Sequence, residues 1–219
     1  MQTDNNITLE NKQYIASFDV DAQNTFTPLC ANELPVPEGD KIVDALNAQA
    51  VLAQYRIGSK DAHSPKALWI ANQEQPVFST IQGENMDMRW PPHAIPGTLG
   101  FELLKGLPPI TAYDYFVWKG IELDMHPYGA CYHDFAERLS TGVIEFLRAK
   151  QIRTVLVGGL ATDYCVKTTV LQLLRASFLV IVNLSACRAI DLRSEEQALK
   201  EMQQAGAIIV PTLNSLKVK

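Results

Sequence analysis

The sequence predicts an α/β fold, in which a doubly wound, mostly parallel six-stranded sheet carries helices on both faces. Apolar runs rich in β-branched residues alternate with segments of helical period, as in strand-helix-strand units. With 219 residues, 47% of them hydrophobic, the chain can bury a full core. No internal repeat or low-complexity linker divides the sequence, so we expect a single domain over residues 1–219.

The predicted strands are short apolar runs, and the predicted helices are longer amphipathic segments. YIASFDV at 14–20 and TVLVGGL at 154–160 are typical of buried parallel strands. Strands are expected at 14–20, 56–61, 116–120, 154–160, 178–184 and 207–210, and helices at 39–55, 133–150 with a break at Gly142, 162–176 and 193–206.

Two long, proline-rich segments, 21–38 and 62–98, remain between the predicted elements. Each follows a predicted strand, and loops of this length inside a domain are often functional. Open α/β sheets bind ligands beside the carboxyl ends of their strands. We therefore expect a functional site at that edge of the sheet.

The composition argues against several classes of partner. Nineteen basic and 24 acidic residues give a net charge of -5 without a long basic run, so nucleic acid is not an expected partner. Residues 1–10 are too polar for a secretory signal, and no apolar run is long enough to cross a membrane. Four scattered cysteines without a CxxC pair indicate reduced thiols. These features predict a cytoplasmic protein that has no membrane partner.

Cys165 is the candidate nucleophile, because GGLATDYCVKTT places it between a predicted buried strand and a helix that begins near Thr162. The free amides and positive dipole of a helix start stabilise a thiolate, which is the attacking form of cysteine. With a cation nearby, we expect the pKa of this thiol to be lowered. A lone cysteine is more often a small buried packing residue, so the role of Cys165 depends on its neighbours.

Lys119 and Asp21 each follow a predicted strand and should therefore lie at the same edge of the sheet as Cys165. A carboxylate can accept the thiol proton while a lysine offsets the charge. Lysine and aspartate side chains are more often simply exposed on the surface. Only the expected convergence of Lys119 and Asp21 with Cys165 therefore argues for catalysis. Asp19, on the same side of the strand as Asp21, is expected to brace the site or to contact Lys119.

Asp61, His63 and His93 form a candidate metal site. In KDAH the carboxylate and the imidazole are two residues apart at a strand end, and WPPH supplies a second imidazole from a rigid turn. Such a set suits zinc, iron or manganese, although a single loop histidine is more often only solvated or hydrogen-bonded. His126 and His133 are assigned only that simpler role.

These motifs, in this order, resemble the nicotinamidase branch of the isochorismatase-like cysteine hydrolases. DAQNTF (21–26), KDAH, WPPHAIPGTLG (90–100), VWKG, GGLATDYCV (158–166) and SACRAID (185–191) each match a motif of that family, over nearly the whole chain. The resemblance implies a fold of this family and the deamidation of nicotinamide to nicotinate in NAD salvage, through a cysteine thioester. An aromatic amide is the expected small-molecule partner.

The resemblance also implies roles for particular residues. The catalytic residues would be Asp21, Lys119 and Cys165, with the amides of Ala161 and Cys165 as oxyanion hole and a cis peptide bond before Ala161. One divalent ion, zinc by preference and otherwise iron or manganese, would be bound by Asp61, His63 and His93. Phe26 and Trp90 would clamp the substrate ring, whereas their types alone would equally suit packing of the loops against the core.

Thr25, Ala94, Trp69 and the segment 122–134 depart from the family pattern. An acidic residue and a cysteine are usual at the first two positions, and some members have a further histidine near the third. These departures leave the choice between nicotinamide and related amides open.

Three other activities are compatible with the motifs. One is a related cysteine amidohydrolase that acts on another small amide, carbamoyl or ureido group, without need of the metal ligands. The second is a binding or structural protein on a degenerate site, which the retained Cys165, Asp21 and Lys119 disfavour. The third is a metallohydrolase in which a metal-activated water attacks. The oligomeric state is not decided by the sequence, and a homo-oligomer remains open.

Overall fold

The computed structural model describes residues 7–219 and contains a central sheet of six parallel strands. Residues 1–6 lie outside the described residues. They begin the polar segment in which no secretory signal is expected. The predicted α/β class is confirmed, and the sheet is entirely parallel. Its strands are β2 (Ile15–Val20), β3 (Tyr55–Asp61), β6 (Tyr115–Lys119), β7 (Thr154–Leu160), β8 (Leu179–Arg188) and β9 (Ile208–Val210).

Two small sheets lie outside the central one. The first pairs β1 (Ile7–Leu9) with β10 (Leu216–Val218) in parallel. The second is an antiparallel pair, β4 (Thr80–Gly83) with β5 (Met86–Met88). This pair lies within 62–98, where the sequence predicts only a loop.

The strand order in the central sheet is β6-β3-β2-β7-β8-β9, so the chain reverses its direction of winding between β2 and β7. Val20 pairs with Gly159 at the carboxyl end of these two strands. A Cβ atom on Gly159 would lie 2.0 Å from the Val20 carbonyl oxygen, and the φ of Gly159 is +138°. Only glycine allows this approach, and ligand sites form at such a reversal of strand order.

In the described part of the chain, four α-helices cover both faces of the sheet. They are α1 (Val43–Val51), α2 (Val143–Ala149), α3 (Lys167–Arg175) and α4 (Leu192–Gln204). Leu147 and Leu173 pack with Phe18 on one face, whereas Leu46 of α1 packs with Ala186 on the other. The longest helix, α4, has 13 residues. Within residues 7–219, no helix has the length and apolar character required to span a bilayer.

Two predicted helices are shorter than expected. Of the predicted 133–150, only Val143–Ala149 is helical. The Asp134 carboxylate accepts hydrogen bonds from the amides of Arg138 and Leu139 at 2.9 and 2.8 Å, and these bonds stabilise a loop. Gly142, whose φ is 85°, is the N-cap residue that precedes the helix. The predicted helix 39–55 is α-helical only over Val43–Val51.

A buried ion pair joins β2 to β3. The Asp19 carboxylate contacts Arg56 Nη2 at 2.6 Å and Nε at 2.8 Å, and it accepts the Tyr113 hydroxyl at 2.9 Å. Of the two roles expected for Asp19, bracing the site or contacting Lys119, the contact with Lys119 is not found, and the carboxylate contacts Arg56 instead. Burial raises the pKa of Asp19 to about 6, and Arg56 only partly opposes this rise. The ion pair thus offsets part of the cost of burying the carboxylate.

We expect ionisation of Asp19 to lower the free energy of unfolding as the pH rises from about 4 to above 6. Between the ordinary value of 3.8 and the folded value of about 6, only the folded state retains the proton. The stability that this proton provides is lost above the folded pKa. The full effect is on the order of 3 kcal/mol.

Urea unfolding of the wild type and of Asp19→Asn at pH 4.5 and pH 7.5 measures this contribution. The wild-type free energy of unfolding, relative to that of the variant, should fall between the two pH values. A difference that is constant, or that grows with pH, would contradict the assignment.

Candidate active site

Four chemically active side chains meet at the carboxyl edge of the central sheet. Asp21 follows β2, Asp61 ends β3, Lys119 ends β6, and Cys165 lies in the turn after β7. All four are buried. One oxygen each from Asp21 and Asp61 and the sulfur of Cys165 lie within 4.8 Å of one another. The structure therefore brings together the three residues that the motifs predict as catalytic.

The Lys119 ammonium lies at the centre of this cluster. Its Nζ donates to the Pro127 carbonyl at 3.0 Å and to Asp61 Oδ1. It lies 3.0 Å from Asp21 Oδ2 and 3.7 Å from Cys165 Sγ. One buried cation thus contacts both carboxylates and the thiol.

The charge states of the cluster follow from these contacts. Burial alone would lower the pKa of Lys119, but Asp21 and Asp61 raise it above its usual value, so the amine stays protonated. Burial alone would raise the pKa of Asp61, but Lys119 and His63 lower it below the usual range. The pKa of Asp21 is raised by burial and less strongly lowered by Lys119. Asp21 is therefore the more basic of the two carboxylates.

The Asp21 carboxylate is positioned to accept a proton. Its backbone φ is 44°, and its amide and Oδ1 both bind the Ser59 hydroxyl, at 3.2 and 2.6 Å. Although Oδ2 is 3.0 Å from Lys119 Nζ, it receives no aligned hydrogen bond from any residue of 7–219. This oxygen keeps a lone pair available for the thiol proton.

Cys165 lies in a π-helical turn, Thr162–Val166, that follows a cis peptide bond between Leu160 and Ala161, as the family pattern implies. The expected lowering of its pKa is not found. Burial raises the pKa of the thiol, and the nearby Lys119 lowers it less. The helix start and the cation do not outweigh desolvation. Cys165 is therefore a thiol, and an attack by its sulfur would require a base to remove the proton.

Three imidazoles form a second cluster beside the first. One ring nitrogen each of His63, His93 and His126 lies within 4.8 Å of the other two. His63 Nε2 is 3.5 Å from Asp61 Oδ1. Asp61, His63 and His93, the predicted metal ligands, are therefore adjacent, and His126 joins them.

Backbone carbonyls orient two of the rings. His63 Nδ1 bonds to the Gly120 carbonyl at 2.9 Å, and His93 Nδ1 bonds to the Pro91 carbonyl at 2.8 Å. Since a carbonyl only accepts, each Nδ1 carries the hydrogen and each Nε2 has a free lone pair. Burial lowers the pKa of His93 to about 3, with a smaller effect of His63. A neutral imidazole is the form that binds metals.

These side chains fit a divalent ion. His63 Nε2 and both nitrogens of His126 are buried and have no hydrogen-bond partner in the described part of the chain. Buried polar atoms are normally satisfied, and leaving one unpaired costs about 1–3 kcal/mol. A cation between the rings would satisfy His63 Nε2 and one nitrogen of His126, and imidazoles suit zinc, iron and similar ions.

The sequence predicts only a solvated or hydrogen-bonded role for His126, whereas the structure places its ring beside His63 and His93. It lies in the segment 122–134 that departs from the family pattern, and that departure was the available signal. Trp69, near a position where some members have a histidine, supplies packing instead. Its ring lies 4.7 Å from His63, 5.4 Å from His93 and 4.5 Å from His126, and its Nε1 donates to the Met125 carbonyl at 3.0 Å.

Phe26 and Trp90 both line a cavity next to Cys165. The cavity volume is about 20 Å³, room for about one water molecule. Phe26 packs edge-on against His93 at 5.7 Å, and Trp90 stacks on His126 at 5.6 Å. A substrate ring enters between these walls only if side chains move apart.

Thr25 and Ala94, which depart from the family pattern, both form hydrogen bonds with the carboxylate of Glu33. The Thr25 hydroxyl donates to Glu33 Oε2 at 2.5 Å, and the Ala94 amide bonds to both Thr25 Oγ1 and Glu33 Oε2, at 3.0 and 3.1 Å. Ala94 has a φ of 50° and directly follows His93. Glu33 therefore stabilises the backbone that positions this imidazole.

Comparisons with known proteins find relatives that align with most of this chain. The nicotinamidase of Escherichia coli (strain K12) is 34% identical over 200 residues, which are 87% of this chain and 91% of that protein. The solved structure of an Acinetobacter baumanii nicotinamidase and pyrazinamidase superposes with a TM-score of 0.83 at 32% identity, over 90% of this chain and 96% of that one. A Pyrococcus horikoshii pyrazinamidase, solved in complex with zinc, has a TM-score of 0.71 at 29% identity, over 90% and 98%.

The model of the isochorismatase domain matches residues 18–213, which extend from β2 to beyond β9. This match covers every residue of the two clusters. It confirms the resemblance that the motifs predict, and the chain belongs to the isochorismatase family.

Proposed function

We propose that this protein is an amidohydrolase of the nicotinamidase type, which converts nicotinamide to nicotinate and ammonia through a thioester on Cys165. One observation carries the proposal. The buried Lys119 ammonium contacts both the Asp21 carboxylate, at 3.0 Å, and the Cys165 thiol, at 3.7 Å, at the edge of the sheet where ligands bind. Relatives named nicotinamidase, at 34% and 32% identity, support the choice of amide.

The first half of the reaction forms the thioester. Asp21 accepts the Cys165 proton, and the sulfur attacks the carboxamide carbon to form an S–C bond. The backbone amides of Ala161 and Cys165 donate to the resulting oxyanion. Asp21 then returns the proton to the nitrogen as the C–N bond breaks and ammonia departs. Lys119 remains protonated throughout and offsets the negative charge.

The second half releases the acid. Asp21 removes a proton from water, whose oxygen attacks the thioester carbon. The C–S bond breaks, nicotinate leaves, and the sulfur recovers its proton from Asp21. The raised pKa of Asp21 suits this role, because a more basic carboxylate is a better acceptor for the proton of a thiol or water.

Asp61, His63 and His93 are the proposed metal ligands. A divalent ion bound there would supply a Lewis acid that orients the substrate through its pyridine nitrogen. Zinc is the proposed ion because the ligands are mainly imidazoles and the Pyrococcus horikoshii relative was solved with zinc. Phe26 and Trp90 are proposed to contact the ring from opposite walls of the cavity. The imidazole cluster favours nicotinamide over a carbamoyl or ureido substrate, because an enzyme for such a substrate would not need the metal ligands.

We also propose a cytoplasmic location. All four cysteines, Cys30, Cys131, Cys165 and Cys187, are free thiols in the structure. Reduced cysteines are typical of the cytosol.

Replacing Cys165 with alanine should abolish amide hydrolysis. We expect kcat for nicotinamide and pyrazinamide to fall by about 10⁴-fold or more, because the thioester cannot form. Ammonia release measures the rate. Cys30→Ala, in a partly exposed turn, is the matched control and should retain wild-type turnover. Substantial turnover by Cys165→Ala would instead support attack by a metal-activated water.

Replacing Asp21 with asparagine should remove the proton acceptor. We expect kcat to fall by about 10²- to 10⁴-fold, while the circular dichroism spectrum and the metal content stay unchanged. Asp44→Asn, at an exposed position in the first turn of α1, should leave turnover unaltered. If Asp21→Asn keeps more than a tenth of wild-type kcat, another group must be the base.

A further inference from the structure

The imidazole of His126 is buried without any polar partner. The residue is 4% exposed, and neither ring nitrogen has a hydrogen bond to any residue of the described range 7–219. A histidine that only supports the fold normally bonds through at least one nitrogen, because an unpaired buried polar group costs about 1–3 kcal/mol. Two unpaired nitrogens on one ring indicate a partner other than protein.

The backbone around His126 is held in place from both sides. Its own amide donates to the Asn85 carbonyl at 2.8 Å. The next residue, Pro127, accepts Lys119 Nζ on its carbonyl at 3.0 Å. The ring therefore enters the site from a fixed segment, which is the condition for an effective ligand.

The free nitrogens of three histidines converge. His63 and His93 each use Nδ1 for a backbone carbonyl, so only Nε2 is free on each ring. One ring nitrogen of His126 lies within 4.8 Å of one ring nitrogen of His63 and one of His93. A single ion at about 2 Å from each nitrogen can bridge atoms at such separations after small side-chain adjustments.

Two other roles explain less of this geometry. His126 stacks on Trp90 at 5.6 Å and on His63 at 5.0 Å, with interplanar angles of 11° and 17°. Stacking would be served by any aromatic ring and leaves the two nitrogens unexplained. A role as a hydrogen-bonded core residue would require a protein partner, and none of the described residues supplies one.

We infer that His126 is a third imidazole ligand of the divalent ion, and that His63, His93 and His126 form a three-nitrogen set beside Asp61. The inference rests on the metal site of the proposed function. It predicts preference for zinc or another ion that favours nitrogen over the hard, oxygen-seeking magnesium and calcium.

Zinc affinity of the purified protein tests this assignment without any measurement of activity. Competition with a chromophoric chelator gives the Kd of Zn²⁺ for the wild type, His126→Ala and His126→Phe. We expect both variants to bind at least about 10-fold more weakly, since even partners of metal ligands contribute 10- to 100-fold. His126→Phe keeps an aromatic face against Trp90, and thermal unfolding verifies that it is folded. His133→Ala, which removes a partly exposed histidine, should bind as the wild type.

A measurement on the wild type avoids any question of folding. X-ray absorption at the zinc edge counts imidazole ligands, and we expect three. Two imidazoles, or an unchanged Kd in His126→Phe, would overturn the inference, as would failure of the wild type to bind Zn²⁺. Nicotinamide deamidation by the wild type is assayed separately, so an inactive protein with three imidazoles on zinc would refute the proposed substrate alone.

Discussion

The buried ammonium of Lys119 determines the electrostatics of the whole site. Two carboxylates, Asp21 and Asp61, are buried at the ends of separate strands, and like charges this close could not both ionise without a cation between them. Their combined effect in turn raises the pKa of Lys119 against the opposing effect of burial. Each charge is tolerated only because the others are present. The strand ends that carry them must therefore meet at one point.

Asp61 connects this charge network to the imidazole cluster. Its Oδ1 accepts Lys119 Nζ and lies 3.5 Å from His63 Nε2. The Pro127 carbonyl provides a second connection, because it binds Lys119 while the preceding residue, His126, enters the imidazole cluster. The imidazole cluster is thus connected to Asp21 and Cys165 through one carboxylate, Asp61, and one lysine, Lys119.

The local sequence pattern predicts those strands and helices that are stabilised by contacts close in sequence or by burial of a simple apolar run. The six strands of the sheet and the strand ends that carry Asp21, Asp61 and Lys119 were predictable in this way. The segment 133–142 was not, because the Asp134 carboxylate stabilises a loop by accepting amides further along the chain. A helical period in the sequence does not reveal that hydrogen bonds from a side chain to backbone amides favour a loop over a helix in this segment.

The sequence by itself determined the parallel sheet, the edge at which the site lies and the family, since each depends on local patterns or on motifs in a particular order. Only the tertiary structure decided the position of His126 and the pKa of Cys165. His126 is held near the other imidazoles because its amide donates to the Asn85 carbonyl and the next carbonyl, of Pro127, accepts Lys119 Nζ, and no local spacing predicts these contacts. The thiol pKa is raised rather than lowered, because desolvation is produced by everything packed around Cys165, whereas the sequence indicates only the helix start and the nearby cation.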